Sequence, residues 1–177
     1  RMSSNITFSL LGNPNCGKTA VFNLLTGLDQ KVSNYPGITV ERKVAKIDLS
    51  NNVSLTLEDF PGAYSLIPQS LDEQIVSDQI LQWIKEPKDR PDGIIYVADI
   101  TNLRRNLFFC TQLLALQIPI IVLLNMVDIA QDNIVDIGLL EKNMGVHKVI
   151  PFSAAKRIGI DTLKRTLLSF VDSVSTK

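Results

Sequence analysis

Hydrophobic positions along the chain fall into two kinds of run. Ile6-Thr7-Phe8-Ser9-Leu10-Leu11, Gly93 to Asp99, Pro119 to Asn125 and Lys148 to Phe152 are short and rich in β-formers. The second and third are too continuously apolar for half-exposed strands and predict a parallel sheet covered on both faces. Val40 to Leu49 and Val53 to Glu58 predict a hairpin around Asn51-Asn52, residues that tolerate positive φ. Helical spacing marks Lys18 to Thr26, where Val21, Leu24 and Leu25 share a face. Ser70-Leu71-Asp72-Glu73 is a capping box that opens a helix to about Lys85, closed by Pro87 and Pro91. Trp83 with Ile80 and Ile84 reads as the core face of that helix, and Arg104-Arg105 as a solvated face of the one predicted from Asn102 to Leu116. Helices from Ile137 to Asn143 and Ile160 to Val174 complete the pattern. Leu28 to Thr39, holding Asn34, Pro36 and Gly37, reads as a long functional loop. The expected architecture is α/β: a three-layer, doubly wound domain of about six strands, mostly parallel with one antiparallel hairpin edge, and about five helices.

Composition narrows the function classes. The 177 residues, 45% apolar and 20% charged, suit a single globular domain. We assign residues 6–174 to that domain, 1–5 to a polar lead in which Arg1 ahead of Met2 reads as a cloning remnant, and 175–177 to a tail. Eighteen basic residues balance eighteen acidic ones, which argues against nucleic acid as a partner. Two cysteines and one histidine, His147, offer neither a disulfide framework nor a Cys/His metal cluster. The strongest apolar stretch, Ile118 to Leu124, contains Pro119 and is far short of the roughly 20 residues a membrane span needs.

Four short segments hold the chemistry. Gly12-Asn13-Pro14-Asn15-Cys16-Gly17-Lys18-Thr19 matches G-x-x-x-x-G-K-[ST] at every fixed position, between a predicted strand and a predicted helix. Its glycines let backbone N–H groups turn toward phosphates, Lys18 reaches the β/γ-phosphates, and the Thr19 hydroxyl is placed to ligate magnesium. Asp59-Phe60-Pro61-Gly62 matches D-x-x-G: the carboxylate would hold magnesium through water and the Gly62 N–H would sense a γ-phosphate. Thr39 is the candidate second magnesium hydroxyl. Asn125-Met126-Val127-Asp128 is similar to the N-K-x-D guanine motif, with Met126 in place of lysine. Asp128 would accept from the guanine N1–H and N2–H, and Asn125 would tie the base pocket to the phosphate loop. Ser153-Ala154-Ala155 resembles the loop whose backbone receives guanine O6. In this order the segments point to GTP over ATP. Ala63 follows Gly62 where Ras-type enzymes carry a water-orienting glutamine, so slow intrinsic hydrolysis is expected. Cys16, beside Lys18 at a helix N-terminus, is placed for a lowered thiol pKa and so for oxidation that would block nucleotide binding, although the plainer reading, a small residue filling a loop position, is preferred.

The loop strings add a resemblance. Ser33-Asn34-Tyr35-Pro36-Gly37-Ile38-Thr39-Val40-Glu41 and Asp59-Phe60-Pro61-Gly62-Ala63-Tyr64-Ser65-Leu66, with the motifs above, resemble the cytosolic G domain of FeoB-type ferrous-iron transporters, a branch of the Era/Ras-like P-loop GTPases. The likeness runs from about Ile6 to Phe170. It implies a slow GTPase on the cytoplasmic face of the membrane that regulates or drives iron uptake, binding GTP/GDP and Mg2+. Gly37 and Ile38 of the first switch would complete the nucleotide site. It further implies a following helical spacer and transmembrane permease, and leaves room for a homo-oligomeric transporter. In potassium-activated relatives the second Asn of G-N-P-N, here Asn15, ligates K+ with switch-loop carbonyls, here those of Ser33 and Tyr35. Asn15, Lys18, Thr39 and Gly62 would then form the catalytic set. Tyr35 stands where Trp is usual and Ser33 where Gly is usual, so this loop can close differently. Two other readings use the same motifs: a stand-alone Era-like GTPase of ribosome assembly, and a GTP switch that does not hydrolyse.

Overall fold

The computed structural model describes residues 3–27, 29–130 and 135–175; Arg1, Met2, Leu28 at the head of the expected loop, and the tail beyond Ser175 lie outside them. Seven strands form one sheet in the order β2-β3-β4-β1-β5-β6-β7. They are β1 (Ser4–Gly12), β2 (Lys31–Asn34), β3 (Glu41–Ser50), β4 (Val53–Asp59), β5 (Gly93–Asp99), β6 (Ile120–Asn125) and β7 (Lys148–Pro151). β4, β1, β5, β6 and β7 run parallel, whereas β2 and β3 pair antiparallel at one edge. Five α-helices flank the sheet: α1 (Lys18–Thr26), α2 (Leu71–Lys85), α3 (Leu103–Leu113), α4 (Ile137–Met144) and α5 (Ile160–Ser175).

Strand alternation divides the core in two. Ile94, Tyr96 and Ala98 of β5 point to a layer with Ile80, Trp83, Phe109 and Leu113 from α2 and α3. Ile95 and Val97 point to the other face, against Val21, Phe22, Leu163 and Leu167 from α1 and α5. All six residues of β6 are buried, as its unbroken apolar run requires. The expected three-layer domain is present. Two details differ. Ile84 lies 53% exposed, so α2 packs through Ile80 and Trp83 without it. Lys31–Asn34, expected as loop, is a seventh strand, held by pairing with β3 although all four residues are exposed.

Candidate functional site

The carboxyl ends of the parallel strands β4, β1, β5, β6 and β7 line one edge of the sheet, where α/β folds open a ligand crevice. Each motif segment leaves from one of these ends. Gly12 closes β1, and the loop from Asn13 to Gly17 then reverses direction through positive φ at Asn15 (63°) and Gly17 (85°). Only glycine fits at Gly17, because a Cβ there would lie 2.3 Å from Asn125 Nδ2. Asn13, Pro14, Asn15, Gly17, Lys18 and Thr19 line a cavity of about 530 Å3.

A second cavity, also of about 530 Å3, is lined by Lys18, Thr19, Thr39, Asp59, Phe60, Pro61 and Gly62 among others. The structure therefore brings together the residues that the motifs assign to the phosphates and to magnesium. Inside, the buried Lys18 ammonium donates to the buried Asp59 carboxylate. Burial pushes the Asp59 carboxyl above its ordinary value, while the Lys18 charge pulls it back. The cation suited to phosphate and the carboxylate suited to a metal thus hold each other. Oxygen donors from two exposed threonines and one buried aspartate are the kind of set that magnesium accepts.

Gly62 packs directly on the phosphate loop: a Cβ would meet Pro14 Cα and N at 2.8 Å. The Ala63 N–H donates to the Gly12 carbonyl at 3.0 Å, which turns the Ala63 methyl into the core, fully buried beside Phe60 and Val76. The side chain after Gly62 therefore points away from the phosphates.

Asn125 joins three loops. Its Nδ2 donates to the Cys16 carbonyl at 3.0 Å, and its Oδ1 accepts from the Ala154 N–H at 3.3 Å. The expected strut between base loop and phosphate loop is present. Met126 adopts φ 70°, with its Cε 3.3 Å from where a Gly17 Cβ would be, so it lies over the phosphate loop as the stem of a lysine could. Val127 N–H donates to the Phe152 carbonyl at 3.2 Å, and Asp128 stands exposed at the rim. Ser153 is buried and its Oγ accepts from the Lys156 N–H at 3.0 Å, rounding a turn that leaves Ala155 exposed.

The first switch reaches this centre through Thr39, whereas its Ser33–Tyr35 part lies off the lining. Ser33 pairs with Arg42 across the β2–β3 ladder. Tyr35 donates its N–H to the Val40 carbonyl at 3.0 Å, and its own carbonyl accepts from the Ile38 N–H at 3.1 Å, with Gly37 at φ 75°. The Tyr35 hydroxyl and the Arg42 guanidinium both reach the Glu58 carboxylate, at 3.4 and 2.9 Å. Ser33 and Tyr35 are absent from the lining of both cavities, so the carbonyl shell expected around Asn15 is not assembled in this arrangement.

Three further residues behave differently from the expectation or were passed over. The Cys16 thiol is 1% exposed, and burial pushes its pKa up to about 11 against the lowering pull of Lys18. Desolvation thus outweighs the helix N-terminus and the Lys18 charge and favours the neutral thiol at Cys16, opposite to the expected direction. Arg104 and Arg105 are both exposed, as the solvated-face reading expects, and the Arg105 guanidinium in addition lies 4.6 Å from the Tyr64 ring centroid. Glu73 was legible only as a capping-box member. Ser70 does cap α2, but the buried Glu73 carboxylate turns instead to the Tyr64 N–H at 3.3 Å.

The family model described as Ferrous iron transport protein B matches residues 6–167. The chain belongs to the FeoB family. It is 45% identical over 165 residues to the Fe(2+) transporter FeoB of Escherichia coli (strain K12), covering 90% of this chain and 20% of that protein. The chain thus spans about a fifth of the length of the curated relatives it matches. The G domain of the T. maritima FeoB iron transporter superposes with a TM-score of 0.83 at 33% identity, over 94% of this chain and 99% of that one. A point mutant of S. thermophilus NFeoB bound to GDP gives 0.80 at 39% identity, over 91% of this chain and 61% of that one. The chain is thus a FeoB N-terminal G domain with a P-loop GTPase fold, and guanine nucleotide occupies this domain in relatives. No helix among the described residues is long and apolar enough to cross a membrane.

Proposed function

We propose that this domain binds and slowly hydrolyses GTP with magnesium and potassium, and that it serves as a switch regulating or driving ferrous-iron uptake by a transporter at whose cytoplasmic face it sits. The observation that carries this reading is the convergence of Lys18, Thr19, Thr39, Asp59 and Gly62 on one cavity, with Asn125 bracing the adjoining base loops.

Guanine is held between Asp128, which accepts from its N1–H and N2–H, and the Ala154-Ala155 backbone at O6. The N–H groups from Asn13 to Thr19 and the α1 N-terminus hold the phosphates. Lys18 exchanges Asp59 for the β/γ-phosphates, which frees the carboxylate. Thr19 and Thr39 hydroxyls and Asp59 are the residues that would hold magnesium, whose charge offsets that of the phosphates. The Gly62 N–H, fixed against Pro14, faces the γ-phosphate. With Ala63 turned into the core, no side chain there orients water, which supports a slow rate. Asn15, with its carboxamide exposed beside the phosphate loop, is the ligand this chain would offer potassium, and a cation there supplies charge where other enzymes use arginine. Ser33 and Tyr35 carbonyls join it only after the Tyr35–Ile38 turn opens.

Multiple-turnover phosphate release from GTP and magnesium, in potassium chloride and in matched sodium chloride, tests this reading. Faster release in potassium, lost in Asn15→Ala, is the expected result. Equal slow rates in both salts would remove potassium, and no turnover with intact GTP binding would leave a non-hydrolysing switch, the reading the buried Ala63 favours second.

A further inference from the structure

Arg105 touches both parts of the site that must agree on whether a γ-phosphate is present. Its backbone carbonyl accepts from Asn13 Nδ2 of the phosphate loop at 3.2 Å. Its guanidinium stacks over Tyr64, 4.6 Å from the ring centroid and two residues beyond Gly62. Asn13 is 2% exposed and has little freedom, because its Oδ1 shares the Tyr96 hydroxyl, at 3.4 Å, with the Asn106 carbonyl. Asn106 in turn accepts from the Asp99 N–H at 3.1 Å and donates to the Asn102 carbonyl at 2.9 Å. The first turns of α3 are thereby locked to the phosphate loop from behind.

The segment after Gly62 is pinned residue by residue. Gly62 rests on Pro14, Ala63 N–H is bound to the Gly12 carbonyl, and Tyr64 N–H is bound to Glu73. Leu66 N–H donates to Gln112 Oε1 of α3 at 2.9 Å. The Tyr64 ring meets the α3 N-terminal turn through Arg105. Asn13, Pro14, Tyr64, Asp99 and Arg105 enclose a polar cavity of about 110 Å3 between these parts.

We propose that Arg105 is a positioning residue: by clamping Tyr64 to the turn that anchors Asn13, it fixes the Gly62 N–H relative to the phosphate loop and so sets discrimination between GTP and GDP. This rests on the GTPase reading above. Arg105 lines neither of the two larger cavities nor the guanine loops; with Tyr64 it lines the small polar cavity, which it shares with Asn13 and Asn15 of the phosphate loop, so its side chain acts through the segment after Gly62.

The test measures dissociation constants for GDP and for a non-hydrolysable GTP analogue, together with kcat, in Arg105→Ala, Tyr64→Leu, their double mutant, Arg105→Lys and Tyr64→Phe. A cation–π contact to an exposed guanidinium converts to roughly a two- to fivefold fall in the analogue-over-GDP affinity ratio and in kcat for each single disruptive variant. GDP affinity should stay within about twofold, the double mutant should match the singles, and the two conservative variants should keep the ratio. Equal loss of both nucleotides, an unchanged ratio, or multiplied effects in the double mutant would overturn the proposal. A wild-type domain that binds both nucleotides without turnover would sink hydrolysis alone, and the affinity ratio would still decide for or against Arg105. A wild-type domain that binds no guanine nucleotide would overturn both.

Discussion

A glutamine at position 63 would have no water to orient. The Ala63 methyl is buried in the core layer that also holds Phe60 and Val76, and its N–H is spent on the Gly12 carbonyl, so the backbone aims this position into the core. Adding a carboxamide there both overpacks the core and buries polar atoms without partners, at a cost of about 2–4 kcal/mol. Ala63→Gln is therefore expected to lower the melting temperature and leave GTP turnover no faster than wild type. A variant that melts unchanged and hydrolyses GTP faster would show that the segment after Gly62 can rotate its side chain out to the site. The same distinction between backbone aim and residue type explains Cys16. Its place at a helix N-terminus beside Lys18 suggests a thiolate, yet burial leaves a neutral thiol at physiological pH.

Loops inherit their precision from the elements that end beside one another. Asn125 closes β6, which lies beside β7 and one strand removed from β1, and its carboxamide reaches across to the phosphate loop on one side and to the Ser153-Ala154 turn on the other. Asn125→Ala leaves the buried Cys16 carbonyl and Ala154 N–H without these partners, a loss of about 1–3 kcal/mol. GDP affinity should fall and the domain should melt earlier, with GDP and GTP weakened alike because the strut acts on the base side; selective loss of GTP would contradict this placement. That strut was readable from the motif spacing, as were the helices and buried strands, because apolar periodicity and fixed glycine positions are local signals. β2 was not: Lys31-Val32-Ser33-Asn34 has one apolar residue, itself exposed, and becomes a strand only by pairing with β3. Arg105 and Glu73 escaped for a related reason. Their partners, Tyr64 and Asn13, lie on other elements, and only the fold brings them within reach.

Across the whole domain, the free energy of nucleotide binding and that of folding are linked through one ion pair. Lys18 and Asp59 are both buried, and in the described arrangement each neutralises the other. Removing one member of such a pair leaves an uncompensated buried charge, a loss of about 3–5 kcal/mol. Asp59→Asn keeps the volume and a hydrogen-bond acceptor but removes the charge, so the nucleotide-free variant should melt well below wild type. Phosphate then supplies the missing partner. In wild type, GDP must break an existing pair before Lys18 can reach it, whereas in the variant it meets an unpaired ammonium. With chelator present to exclude metal, GDP should therefore raise the melting temperature more in Asp59→Asn than in wild type. Ligand at about a hundred times its dissociation constant stabilises by about 2.7 kcal/mol, and each kcal/mol moves a domain of this size by roughly 2–4 °C. Shifts of this order are read directly by thermal melts. With magnesium restored the order should reverse, because Asp59 is then needed as a metal-side carboxylate. An equal or smaller GDP shift in the metal-free variant would mean that Lys18 leaves Asp59 at no cost, and the resting ion pair would then have no part in how tightly this G domain holds its nucleotide.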